Sequence, residues 1–115
     1  MIHLKTFTTT DVLIDRALDA LRTVFPTLGK TDGVMLAGGR TPLEVYRRAK
    51  EESLTTEGIL FLSDERYVPD TDPQSNYGTI SPMLDPLMRV PTELPIDAAA
   101  QAFHEKLSRI ERIPA

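Results

Sequence analysis

Two uninterrupted apolar stretches, Val34-Met35-Leu36-Ala37 and Ile59-Leu60-Phe61-Leu62, constrain the fold more than anything else in this sequence. Runs that do not alternate with polar residues are expected of strands buried on both faces, as in parallel sheets. The segment between them predicts a helix with Leu43, Val45, Tyr46 and Ala49 on its buried side, fading into Lys50-Glu51-Glu52 before a turn over 53–58. Strand, crossover helix and strand joined by short connections indicate a parallel α/β arrangement. Upstream, residues 2–7 alternate loosely and read as a short strand. Thr8, Thr9, Thr10 and Asp11 offer N-caps for an amphipathic helix that carries Ile14, Leu18, Leu21 and Phe25, widened by Leu13, Ala17 and Val24, and ends near Pro26. Downstream, residues 67–76 read as an irregular loop. Ser75 or Asn76 then caps a helix interrupted by Pro82 and Pro86, and Asp97 caps a last helix with Ala99, Phe103, Leu107 and Ile110 on one face. The expected fold is one partial α/β domain over residues 1–115, a Rossmann-like parallel sheet with crossover helices, of about three strands and four helices. Three strands make an incomplete sheet, and the final helix is of the kind that leads into a further strand. The open edge and apolar helix faces of such a half domain favour self-association.

Composition removes several classes of chemistry. The sequence has no cysteine, which excludes disulfides, thiolate catalysis and cysteine-ligated zinc. Its two histidines, His3 and His104, stand at opposite ends of the chain and form no metal-ligand spacing. Thirteen basic residues against seventeen acidic ones give a net charge of −4, which argues against a nucleic-acid partner. No secretory signal and no apolar stretch of membrane-spanning length are present, so a soluble cytoplasmic protein without a membrane partner is expected.

The first apolar run leads into Gly38-Gly39-Arg40-Thr41-Pro42-Leu43-Glu44. This order suits a helix start: Thr41 as N-cap, Pro42 at the first helical position, and Glu44 at the third to complete a capping box. Gly38 and Gly39 leave the backbone bare ahead of the helix, where free N–H groups and the helix dipole favour an anion. The same residues would also serve a tight, well-capped corner with no ligand. The nucleotide loops GxxxxGK[ST] and GxGxxG are both absent, as is GxSxG. The second apolar run ends in Asp64-Glu65-Arg66. Sites in parallel α/β sheets lie beyond the carboxyl ends of the strands, so this cluster shares a rim with the glycine turn. Arg66 is suited to grip a phosphate while the turn holds its other oxygens, and Asp64 to act as acid or base or to bind hydroxyls. Asp64, Glu65, Asp70 and Asp72 match no magnesium or calcium loop pattern, and no metal is expected.

These residues resemble a known family. Leu36-Ala37-Gly38-Gly39-Arg40-Thr41-Pro42, followed by an apolar helix with Tyr46, is similar to the GGSTP-type phosphate turn of the 6-phosphogluconolactonases and glucosamine-6-phosphate deaminases. Asp64-Glu65-Arg66-Tyr67-Val68-Pro69, then Asp72-Pro73-Gln74-Ser75-Asn76, looks like the DERxVP…SN signature of the lactonase branch. The deaminase branch tends to carry a tyrosine after Asp-Glu and Ser-Tyr in place of Ser75-Asn76. The resemblance implies hydrolysis of 6-phosphoglucono-1,5-lactone to 6-phosphogluconate in the pentose phosphate pathway, with no cofactor or required metal and a small sugar phosphate as partner. The alternatives are a deaminase or isomerase of the same superfamily, and a non-catalytic sugar-phosphate-binding module. Carried over residue by residue, Gly38, Gly39, Arg40, Thr41, Glu65 and Arg66 would bind substrate and phosphate, Asp64 would serve catalysis, and Ser75 and Asn76 would organise the loop. Arg40 stands where many members have serine, and adds a second cation. The family's catalytic histidine lies in a later GxGxDGHxASLFP-type segment that these 115 residues do not contain, so the resemblance is to the N-terminal half.

Overall fold

Between Ile2 and Phe25 the sequence holds neither proline nor glycine. In the computed structural model, which describes residues 2–113, this stretch forms one helix, α1 (Ile2–Val24), closed by a 3-10 turn at Phe25–Thr27 that contains Pro26. The strand expected over 2–7 is therefore absent, and Thr8, Thr9, Thr10 and Asp11 lie inside a helix instead of capping it. A helix satisfies its own backbone groups, whereas a strand needs a neighbour, and six loosely alternating residues with no breaker do not impose one. The side chains before Thr10 lie outside the described residues. Further along α1, Ile14 and Leu18 are buried and Leu21 and Val24 partly so. Leu13, expected to widen the buried stripe, is 56% exposed, and Ala17 is exposed as well.

The two apolar runs form β1 (Gly33–Leu36) and β2 (Ile59–Leu62), joined by α2 (Arg40–Glu51) and paired in parallel with Gly33 opposite Ile59 and Leu36 opposite Leu62. Val34, Leu36, Leu60 and Leu62 face a core shared with Ile14 and Leu18 of α1 and Val45, Tyr46 and Ala49 of α2. The parallel sheet and its crossover helix agree with expectation. The sheet has two strands among the described residues, where about three were expected. Met35 is 56% exposed, so β1 is not buried on both faces. With β2 on one side only, the other edge of β1 is largely uncovered.

Beyond β2, Ser75 caps α3 (Asn76–Ile80): its Oγ accepts the Gly78 N–H at 3.0 Å. This short helix ends before Pro82, as the proline spacing requires. The last helix, α4 (Ile96–Leu107), starts directly after Pro95. Asp97 lies inside its first turn and makes no capping bond, so it is not the cap. Its charge still suits the dipole there.

Candidate functional site

The helix start after β1 differs from the expected one, and the reason is Gly39. Its backbone, at φ +107° and ψ 168°, occupies a region essentially restricted to glycine. This sharp turn makes Gly39 the N-cap, and the first helical bond runs from the Leu43 N–H to the Gly39 carbonyl at 3.0 Å. Thr41 is thus the second helical residue and Pro42 the third, and no capping box forms. Glu44 falls a turn deeper and pairs with Arg47 at 2.6 Å and Arg48 at 3.1 Å. Those guanidinium bonds, Arg47 foremost, hold its carboxyl well down, at about 2.

The altered start leaves donors bare. The N–H groups of Gly38, Gly39, Arg40 and Thr41 have no hydrogen-bond partner among the described residues, while the neighbouring Ala37 N–H is taken by the Tyr46 hydroxyl at 3.1 Å. The same hydroxyl donates to the Ala37 carbonyl at 2.8 Å. One buried side chain on α2 thereby fixes both backbone groups of the residue where strand becomes turn. Burial pushes the Tyr46 phenol above its ordinary pKa.

The second half of the site comes from the loop after β2. Glu65 accepts the N–H groups of Asn76 at 2.8 Å and Tyr77 at 2.7 Å, and that of Arg66 at 2.9 Å. Both its oxygens are occupied in holding the start of α3 against the end of β2. Glu65, expected at the substrate, is therefore a structural clamp, because an acidic side chain beside a helix N-terminus finds donors there first. Asn76 donates from Nδ2 to the Asp64 carbonyl at 3.1 Å, which ties the start of α3 to the loop after β2. It also abuts the glycine turn: a Cβ on Gly38 would stand 2.8 Å from Asn76 Oδ1, so only glycine fits without displacing the amide. Arg66 is exposed and donates from Nη1 to the Gln74 carbonyl at 3.3 Å. The Asp64 carboxylate accepts a bond from Ser63 Oγ at 3.3 Å.

Gly38, Gly39, Asp64, Arg66 and Asn76, with Ala37, line one open cavity of about 400 Å³ at the carboxyl end of the sheet. That volume lies within the usual range for small-molecule sites. Arg40 stands exposed at the first turn of α2, with no ion pair among the described residues. Thr41 lines the adjoining groove over α1 and not the cavity. His104 is exposed on α4 and does not line the cavity, and the His3 side chain is outside the described residues. Asp70 is engaged by Arg89 at 2.6 Å and Asp72 accepts the Gln74 N–H at 2.8 Å, so both stiffen the loop. Among the described residues no three of His, Asp and Glu converge where a metal could sit.

The glycine turn and the carboxylate-arginine rim meet in one cavity at the switch from strand to helix. Residues 9–113 match the model of the family described as glucosamine-6-phosphate isomerases/6-phosphogluconolactonase. The chain belongs to this family. It is 35% identical over 109 residues to the 6-phosphogluconolactonase of Thermotoga maritima, covering 84% of this chain and 50% of that protein. To the 6-phosphogluconolactonase of Treponema pallidum it is 42% identical over 81 residues, 63% of this chain and 34% of the other. The crystal structure of the Thermotoga maritima 6-phosphogluconolactonase superposes with a TM-score of 0.73 at 31% identity, over 90% of this chain and 52% of that one. A crystal structure of devB protein, 21% identical with a TM-score of 0.73, shares the fold over 88% of this chain and 48% of its own. The chain thus spans about half the length, or less, of the curated relatives it matches.

Proposed function

We propose that the cavity between the glycine turn and Arg66 is the phosphate half-site of a 6-phosphogluconolactonase. The observation that carries this reading is the run of four unpartnered N–H groups, Gly38 to Thr41, at the start of a twelve-residue helix, of which Gly38 and Gly39 line one cavity with Arg66. Converging backbone donors and a helix dipole stabilise an anion, and a guanidinium adds charge and a planar pair of donors. Arg66 is anchored through one Nη only, which leaves the rest of its fork available. Arg40 brings a second cation at the first helical turn. With a sugar phosphate held there, the sugar extends toward Asp64, the one carboxylate lining the cavity.

Hydrolysis of the lactone requires water to add to the carbonyl carbon, the ring C–O bond to break, and a proton to reach the released ring oxygen. Anchoring the distant phosphate supplies positioning, which reduces the entropic part of that barrier. Asp64 is placed to hold a substrate hydroxyl or take a proton from water. The resemblance assigns the principal base to a histidine in a segment outside these 115 residues. The 115-residue chain is accordingly expected to bind 6-phosphogluconate and to hydrolyse the lactone no faster than it opens spontaneously. Both curated relatives named above are lactonases, which favours this reading over an isomerase.

Titration calorimetry with 6-phosphogluconate tests the proposal. Saturable binding weakened at least tenfold by Arg66→Ala is the expected result. Equal heats from the native chain and Arg66→Ala, or no heat at all, would remove the phosphate seat.

A further inference from the structure

Among the described residues, each outer edge of the two-stranded sheet takes one short parallel bridge. On β1, Asp32 pairs with Arg112. The Gly33 N–H donates to the Arg112 carbonyl at 2.8 Å, and the Arg112 guanidinium gives the Asp32 carboxylate two bonds, at 3.0 and 2.8 Å. That bridge lies at the start of β1, away from the cavity. On β2, Leu60 pairs with Leu87, and the Met88 N–H donates to the Leu60 carbonyl at 2.8 Å. A parallel segment advances in the same direction as its neighbour, so this one delivers Arg89 toward the end of the sheet that carries the cavity.

The Arg89 side chain is half-buried, and all three of its nitrogens are used. Nε donates to Asp70 Oδ2 at 2.6 Å, and Nη1 and Nη2 donate to the two oxygens of Glu93 at 3.1 and 2.6 Å. The two carboxylates lead to different places. Glu93 belongs to the same segment as Arg89, whereas Asp70 belongs to the loop after β2. The Asp70 carbonyl is pressed against α3: a Cβ on Gly78 would stand 2.0 Å from that oxygen, so only glycine fits there. From this point the loop runs in tight turns. The Asp72 N–H bonds the Pro69 carbonyl and the Ser75 N–H the Asp72 carbonyl, both at 2.9 Å. Its last residues serve the cavity. The Gln74 carbonyl accepts Arg66 Nη1, Ser75 caps α3, and Asn76 lines the cavity beside Arg66. A displacement of Asp70 is therefore passed to the groups that place Arg66 and Asn76.

We propose that Arg89, which does not line the cavity, is a positioning residue for it: through Asp70 it fixes the turn over residues 69–75, and with that turn the places of Arg66 and Asn76. The effect on a ligand rests on the phosphate half-site reading; the effect on Arg66 does not. Asp70→Asn and Glu93→Gln, made separately in the full 115-residue chain, test it. Each takes one carboxylate charge from Arg89 with little change of shape. Loss of a negative charge alone would favour an anion, so weaker binding cannot come from net charge. In calorimetry with 6-phosphogluconate, Asp70→Asn is expected to weaken binding about fivefold and Glu93→Gln to leave it within about twofold. In the ligand-free chain, nitrogen relaxation of the Arg66 Nε–H is expected to report a more mobile side chain in Asp70→Asn and in Arg89→Met, and an unchanged one in Glu93→Gln. Equal binding by Asp70→Asn and Glu93→Gln, or Arg66 order unchanged in Asp70→Asn, would overturn the proposal. If the native chain binds no 6-phosphogluconate, the half-site reading falls, and the Arg66 relaxation alone decides the positioning.

Discussion

At the scale of single residues, the site depends on a few side chains whose work is to hold the backbone. Gly39 is the most constrained. Any side chain at φ +107° is strained by about 1–3 kcal/mol. Gly39→Ala is expected to lower the unfolding free energy by that amount in denaturant titration and to weaken phosphate binding, because it disturbs the turn that leaves those N–H groups free. Tyr46 acts at the other end of the turn. Tyr46→Phe removes both bonds to Ala37, and each is worth roughly 1 kcal/mol. A loss of stability with the helical circular dichroism intact would agree with that role, and a neutral substitution would not. Glu65 illustrates how far residue type alone leads. Its place in Asp64-Glu65-Arg66 pointed to the substrate rim, yet it does not line the cavity. Its two oxygens are spent on Asn76, Tyr77 and Arg66, and that depends on a fold eleven residues downstream coming back to meet it. Glu65→Ala should cost about 1.5–3 kcal/mol in thermal unfolding, since charge-assisted bonds to two half-buried donors and one exposed donor are lost.

At the scale of elements, the apolar runs were legible because a strand with core on its helix side and a neighbour beside it has little room for polar residues. The crossover helix was legible from its 3.6-residue spacing. Its first residue was not, because Thr41-Pro42 with Glu44 fits a capping box as well as any sequence does. The outcome turned on Gly39 adopting a conformation that residue patterns do not encode. Residues 2–7 misled for a related reason: weak alternation cannot report whether a partner strand exists. One element contact has a pH signature. Asp32 is held down to about 2, chiefly by the Arg112 guanidinium and then by the Gly29 N–H, against an ordinary 3.8. A depressed carboxyl contributes stability that is complete above its unfolded pKa and is lost as pH falls through the folded one. The clamp of residues 110–112 onto β1 should therefore hold above about pH 4 and release between there and pH 2. Exchange at the Gly33 amide, followed over that range, should rise in the native chain. In Asp32→Asn it should already be raised at neutral pH and change little on acidification.

At the scale of the whole molecule, the chain places a phosphate-sized opening at the carboxyl end of a two-stranded parallel sheet and leaves the sheet's far edge unfinished. The incomplete sheet was foreseen from the count of strands, and the shared rim of the glycine turn with Asp64 and Arg66 from the rule that such sites lie beyond strand ends; Asn76, read as a loop organiser, lines the same cavity. What the sequence did not reveal was that residues 111 and 112 already pair with the β1 edge, since two residues carry no periodicity. The central claim is that the N–H groups of Gly38 to Thr41 form a seat for a sugar phosphate. It is tested most directly by two-dimensional NMR of the nitrogen-labelled chain titrated with 6-phosphogluconate. The amide signals of Gly38, Gly39, Arg40 and Thr41 are expected to move together and saturably, and more than those of any other segment. Signals that stay still at saturating ligand, or that move elsewhere while these four do not, would contradict it.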